Sequence, residues 1–172
     1  MGYYRTRIYL AADWEHDKEV IDKLREWNNS NFWNLKFYDA HDLTQSYDNS
    51  LNCTIKSSLS DRMDASKTFV LVVGQKSKNL RSGNCYLCDW YSIHRQTCSK
   101  GFSISNKSYI EYECDKAVRD GLKIVVLYNY SSVDRFKCPD VVRYKGKHIA
   151  AYHWDNFMKK WNYSEIRDAL MY

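Results

Sequence analysis

The segment Lys107 to Tyr130, KSYIEYECDKAVRDGLKIVVLYNY, decides the fold. Its first half spaces Ile110, Cys114, Ala117 and Val118 at i, i+4, i+7 and i+8, the stripe that a helix turns toward a sheet. Gly121 ends that helix, and Leu122 to Tyr128 follows at once as an apolar, β-branched strand. A helix feeding a buried strand through one glycine is half of a βαβ unit. Glu111 and Glu113 lie on opposite flanks of the stripe, and Glu113 shares its flank with Tyr109 and Lys116. That flank would set Glu113 at the rim of a pocket with an aromatic wall, whereas as ordinary helix carboxylates both would be solvated. The helical angle alone does not choose between the two.

Upstream, Arg5 to Ala11 (RTRIYLA) reads as a strand, and Asp13 is expected to cap a helix from about Glu15 to Trp27 with Val20, Leu24 and Trp27 facing inward. Leu35 to Asp39 is a second strand opening into the polar loop AHDLTQSYDNS. A helix then runs from Ser50 or Asn52 to about Asp64, with Ile55, Leu59 and Met63 at spacing four. Thr68 to Gly74 (TFVLVVG) is apolar at nearly every position, as a central parallel strand covered on both faces must be. Downstream come a polar connection at Tyr130 to Asp140, an edge strand at His148 to Tyr152, and an amphipathic helix from about Trp154 to Leu170. The alternation predicts an α/β three-layer sandwich with a five-stranded, mostly parallel sheet. It contains no repeat or linker, so residues 1–172 are expected to be one domain.

In such sheets ligands bind beyond the carboxyl ends of the strands, where strand order reverses. That rule gathers Asp13, Trp14, Asp39 with the loop after it, and the segment after Gly74 around one crevice. Neither GxGxxG nor GxxxxGK[ST] occurs, which removes the dinucleotide fold of the Rossmann kind and the P-loop.

Composition narrows the partners. Lys and Arg total 26 against 21 Asp and Glu, a net charge of +5 that favours anions. The cations are interleaved with acids rather than clustered, so no nucleic acid partner is expected. The first ten residues hold no apolar leader core and no later run approaches a membrane span, so a cytoplasmic protein with no membrane partner is expected. Fifteen Tyr and 6 Trp suit stacking on a planar ligand and equally suit an aromatic core. The 6 Cys of such a chain are expected as thiols or ligands rather than disulfides.

Between about residues 75 and 106 the periodicity fails and three cysteines fall in an insertion. Cys85-x2-Cys88 has the spacing that lets two thiolates reach one tetrahedral ion, and His94 and Cys98 stand close enough in sequence to complete a structural zinc site. Three reduced thiols packed by Tyr86, Trp90 and Tyr91 would account for the same residues.

From IYLAAD through TFVLVVGQKS to YIEYECDKAVRDGLKIVVLYN, the chain resembles TIR-like domains of the flavodoxin-like topology. More specifically, it resembles the short bacterial TIR-like proteins that form the sensor arm of Thoeris antiviral defence. Members often carry an aromatic, three residues, a glutamate, then the rest of the helix, a glycine and a strand. Tyr109 to Glu113 fits, with Tyr where Trp is frequent. The resemblance implies that Glu113 is the catalytic residue of an enzyme that cleaves NAD with no cofactor for catalysis. It also implies a cyclised ADP-ribose product that activates a separate effector protein, and self-association. A leaving nicotinamide departs neutral, so one carboxylate suffices, holding ribose hydroxyls and stabilising an oxocarbenium-like transition state. Trp14, Tyr47 or Tyr109 would stack on a ring and Asp13 or Asp39 would hold ribose hydroxyls, while a non-catalytic TIR-like interaction module is the rival reading.

Overall fold

The computed structural model describes residues 7–39, 52–75, 92, 94 and 107–172. Five strands form one parallel sheet: β1 Arg7–Ala11, β2 Lys36–Asp39, β3 Thr68–Val73, β4 Lys123–Tyr128 and β5 Lys147–Ala150, in the order β2-β1-β3-β4-β5. This is the flavodoxin-like order, with its reversal between β1 and β3. Every residue of β3 is buried and β4 is buried from Ile124 onward, which explains why TFVLVV and IVVLY show no polar alternation.

Two separate cores sandwich the sheet. On one face, helix α1 (Lys18–Ser30) contributes Val20, Ile21, Leu24 and Trp27, and the last helix, α4 (Tyr163–Met171), contributes Ile166, Ala169 and Leu170. On the other, α2 (Asn52–Asp64) brings Ile55, Leu59 and Met63 against α3 (Tyr109–Arg119) with Ile110, Cys114 and Ala117. Strand side chains alternate between them: Ile8 and Leu10 join the α1/α4 core, Tyr9 and Ala11 the α2/α3 core.

The α3–β4 junction forms as its sequence predicts. Gly121 takes φ 66°, a left-handed conformation glycine adopts without a Cβ penalty. The amide of Leu122 then donates to the Ala117 carbonyl at 3.0 Å and that of Gly121 to Val118 at 3.3 Å, a Schellman ending that turns the chain directly into the strand. At the other end Ser108 Oγ accepts from the Glu111 amide at 3.1 Å while the Glu111 carboxylate accepts from the Ser108 amide at 2.8 Å. This capping box fixes the first turn of α3 and occupies Glu111.

Two expectations are corrected. Asp13 does not cap α1: the helix starts at Lys18 after Asp17, and residues 14–16 form a turn in which the Asp17 amide donates to the Asp13 carbonyl at 2.7 Å. The helix expected from Trp154 begins only at Tyr163, because residues 152–161 form an antiparallel hairpin of β6 (Tyr152–Asp155) and β7 (Met158–Trp161). Trp154, Phe157, Met158 and Trp161 mimic i, i+3, i+4, i+7 spacing, yet Asn156 and Phe157 both have positive φ, 46° and 65°, as a two-residue hairpin turn demands. The hairpin is docked by Trp161, which meets Trp27 edge-on at 6.0 Å, and by Lys159, which pairs with Glu19 at 2.7 Å. No described helix is long and apolar enough to cross a membrane.

Candidate active site

Glu113 lies in the second turn of α3 and is 2% exposed, facing the α2/α3 core rather than solvent. The same helix also buries Lys116, whose Nζ reaches Asp64 and Asp120 at 2.6 Å each and so ties the end of α3 to the end of α2. The buried arc of α3 is therefore wider than its apolar stripe, and one glutamate falls inside it. Of the two glutamates, Glu111 caps the helix and Glu113 enters the interior.

The partner of Glu113 comes from the middle of the sheet. Tyr9, fully buried on β1 and stacked on Phe69 of β3 with centroids 5.9 Å apart, donates its hydroxyl to Glu113 Oε1. Burial pushes the Glu113 carboxyl up to about 8, and the Tyr9 hydrogen bond works against that rise by favouring the anion. Burial, reinforced by the adjacent Glu113 carboxylate, holds the Tyr9 phenol well above its ordinary range, so Tyr9 remains the donor. A buried carboxyl that titrates near neutrality is a poised electrostatic group.

A second constellation sits at the carboxyl ends of β1, β3 and β4, where the strand order reverses. Asp13, 6% exposed, accepts from the Glu15 amide at 3.1 Å and bonds His16 Nδ1 at 2.9 Å. Asp17, fully buried, accepts from Asn129 Nδ2 at 3.0 Å through Oδ1, while Oδ2 has no hydrogen-bond partner among the described residues. Burial, reinforced by the nearby Asp13 charge and opposed by Asn129, raises the Asp17 carboxyl to about 6. Neither Asp17 nor Asn129 announces itself in the sequence. The available signal is positional, a polar residue immediately beyond a strand at the switch point.

The remaining candidates divide by place. Trp14 is half-buried against the α1/α4 core with the Arg25 guanidinium 4.9 Å from its ring centroid. Tyr109 opens α3 and packs against the α2/α3 core, the layer that holds Glu113. Asp39 ends β2. Tyr47, Cys85, Cys88 and Cys98 lie outside the described residues, and His94 is an exposed turn residue. Among the described residues no group of three or more His, Cys, Asp or Glu side chains is placed to hold a metal ion.

Residues 4–82 match the family model for the TIR-like domain of the Thoeris protein ThsB. The match runs through β1, α1, β2, α2 and β3 and ends before α3, so it covers Tyr9, Asp13 and Asp17 but not Glu113. No curated protein matches the chain.

Proposed function

From the match of residues 4–82 to the TIR-like domain of the Thoeris protein ThsB, we propose that the chain is a TIR-like, NAD-cleaving enzyme of antiphage defence with Glu113 as its catalytic residue. The observation that supports this reading is the Glu113 carboxyl itself: it stands at the motif position counted from Tyr109, on a capped helix end, buried and titrating at about 8. Isolated in the interior, such a group gains most from a cationic ligand, and the pyridinium of NAD is one.

In the reaction the C1′–N bond of the nicotinamide riboside breaks and its electron pair leaves with the ring nitrogen, discharging the pyridinium. The charge that develops on ribose C1′ and O4′ is stabilised by the Glu113 carboxylate, and no general acid is required for the neutral leaving group. The oxocarbenium-like centre is then trapped. Water gives linear ADP-ribose and a proton, whereas a nucleophile of the same ADP-ribose gives a cyclised product with loss of that nucleophile's proton. A cyclised product would serve as a messenger to a separate effector protein, and self-association of the TIR-like domain would accompany activity. Asp13, at the switch point, is suited to accept from ribose hydroxyls.

Incubation with NAD, in the presence of the activating stimulus, tests the reading by the appearance of free nicotinamide, its loss in Glu113→Gln, and mass spectrometry of the product. A protein that self-associates but releases no nicotinamide under any such condition is an interaction module instead. That second reading is favoured by one observation: at 2% exposure, with Tyr9 as its donor, Glu113 also has the surroundings of a structural buried acid.

A further inference from the structure

Tyr9 lies 104 residues from Glu113 in sequence and on a different element, yet its hydroxyl meets one carboxylate oxygen of that residue. Tyr9 is fixed from several sides. It is in register with Tyr38 of β2 and Phe69 of β3, its ring stacks on Phe69 at an interplanar angle of 16°, and it is 0% exposed. A phenol buried and stacked in this way is a more rigid donor than a lysine or a water. The hydroxyl occupies Oε1, and among the described residues no other side chain hydrogen-bonds the carboxyl.

We propose that Tyr9 is the positioning residue of the catalytic site: its hydroxyl holds Oε1 of Glu113, turns Oε2 toward the substrate ribose and favours the carboxylate form. This rests on the assignment of Glu113 as catalytic. The arrangement gives the site a division of labour between two oxygens of one group. Oε1 is committed to the protein and Oε2 to the reaction, which keeps the reacting oxygen in place without a second acid.

The groups that face this pair set the electrostatics in which it works. Besides the two partners themselves, Arg62 of α2 and Tyr112 of α3 act on Tyr9, and Cys114, next to Glu113 on α3, is in turn influenced by Cys138 after β4 and by Asp115 and Glu111. Arg62 acts on Tyr9 in the direction that opposes burial, and Cys114 is itself raised by burial and by Glu113, so it stays a neutral thiol beside the pair. None of these is a hydrogen-bond donor to Glu113, which leaves Tyr9 as the group that tilts its ionisation.

The test is Tyr9→Phe, which removes one oxygen and keeps the ring, read by two measurements on the full chain. The first is the pH profile of kcat/KM for nicotinamide release. Loss of the donor moves the acid limb to higher pH, so activity falls about tenfold at pH 7 and returns toward the unaltered protein's value as pH rises past the shifted limb. The second is the 13C NMR titration of the Glu113 side-chain carboxyl, assigned by Glu113→Gln, whose midpoint shifts upward in Tyr9→Phe. An unchanged carboxyl midpoint overturns the proposal, as does a uniform loss of activity that alkaline pH does not restore. If Glu113→Gln releases nicotinamide normally, the catalytic assignment of Glu113 fails and Tyr9 is no positioning residue. The NMR midpoint then still tells whether the hydrogen bond governs the carboxyl.

Discussion

Gly74, at the end of β3, faces the Asp17 carboxylate so closely that a Cβ on it would lie 1.9 Å from Oδ1 and 2.5 Å from the carboxyl carbon. The apposition joins β3, the start of α1 and, through Asn129, the end of β4 at the point where the strand order reverses. Gly74→Ala is therefore expected to push Asp17 off Asn129 and to destabilise the fold by about 2 kcal/mol. Chemical denaturation measures the loss. In a double-mutant cycle with Asp17→Ala the two costs should be less than additive, because the second substitution removes the clash; full additivity would mean the strain lies elsewhere.

Asp17 makes a pH prediction with a definite sign. Its folded value of about 6 exceeds the ordinary 3.8, so between those values the folded chain holds more protons than the unfolded one and stability falls as pH rises. The neutral acid suits the site, with Oδ2 lacking a partner among the described residues. Asp17→Asn keeps the acceptor for Asn129 and removes the charge. It should flatten the pH dependence across that window and stabilise the protein at pH 7 by about 2 kcal/mol. A variant that is less stable at pH 7 than its parent would show that the ionised carboxylate is needed.

The two glutamates of α3 separate by role. Glu113→Gln removes the ionisable group at nearly constant shape and should abolish nicotinamide release, while the thermal transition at pH 7 stays or rises, since folding no longer requires the carboxyl to take up a proton. Glu111→Gln preserves the capping box and should leave both activity and stability near their starting values. Ser108→Ala loses the cap and should cost about 1 kcal/mol. A dead Glu111→Gln with an active Glu113→Gln would reverse the assignment.

Glu113 also fixes where the pH profile bends. With the free carboxyl at about 8, only about a tenth is ionised at pH 7, and kcat/KM should rise toward an alkaline plateau. Bound NAD places a pyridinium beside the carboxylate and favours the charged form, so the limb of kcat should lie at lower pH than that of kcat/KM. Coincident limbs would indicate that the substrate cation never comes near this carboxyl.

The parts of this chain that were legible are those whose signal is local. TFVLVV has no polar alternation because both its faces are covered, and Gly121 marks a helix end that is completed by residues within five positions. Tyr9 could not be singled out: it is one of 15 tyrosines, and what distinguishes it is a hydroxyl contact with a helix far along the chain. Asp13 does not cap α1 because its side chain accepts from the Glu15 amide and its carbonyl from the Asp17 amide, a turn that delays the helix to Lys18 and uses the same Asp preference that a cap would. The aromatic excess likewise had two meanings. Trp27, Trp33, Trp161 and Tyr163 pack on one another within 6.0 Å, so much of it serves to dock the hairpin on α1.

The hairpin supplies a last test, because its turn places an unsuitable residue in a demanding conformation. Asn156 tolerates positive φ through its short polar side chain, but Phe157 adopts φ 65° with its ring 99% exposed, so neither its backbone nor its side chain is compensated by a described contact. The two-residue turn between Asp155 and Met158 prefers Asn-Gly. Phe157→Gly should stabilise the protein by about 1 kcal/mol and leave nicotinamide release unchanged, since the turn lies outside the layers that hold Glu113. Thermal unfolding and the NAD assay on the same preparation check both halves. A stabilised variant that loses activity would mean that the exposed ring serves the reaction, and a destabilised one would mean that the ring is covered in solution.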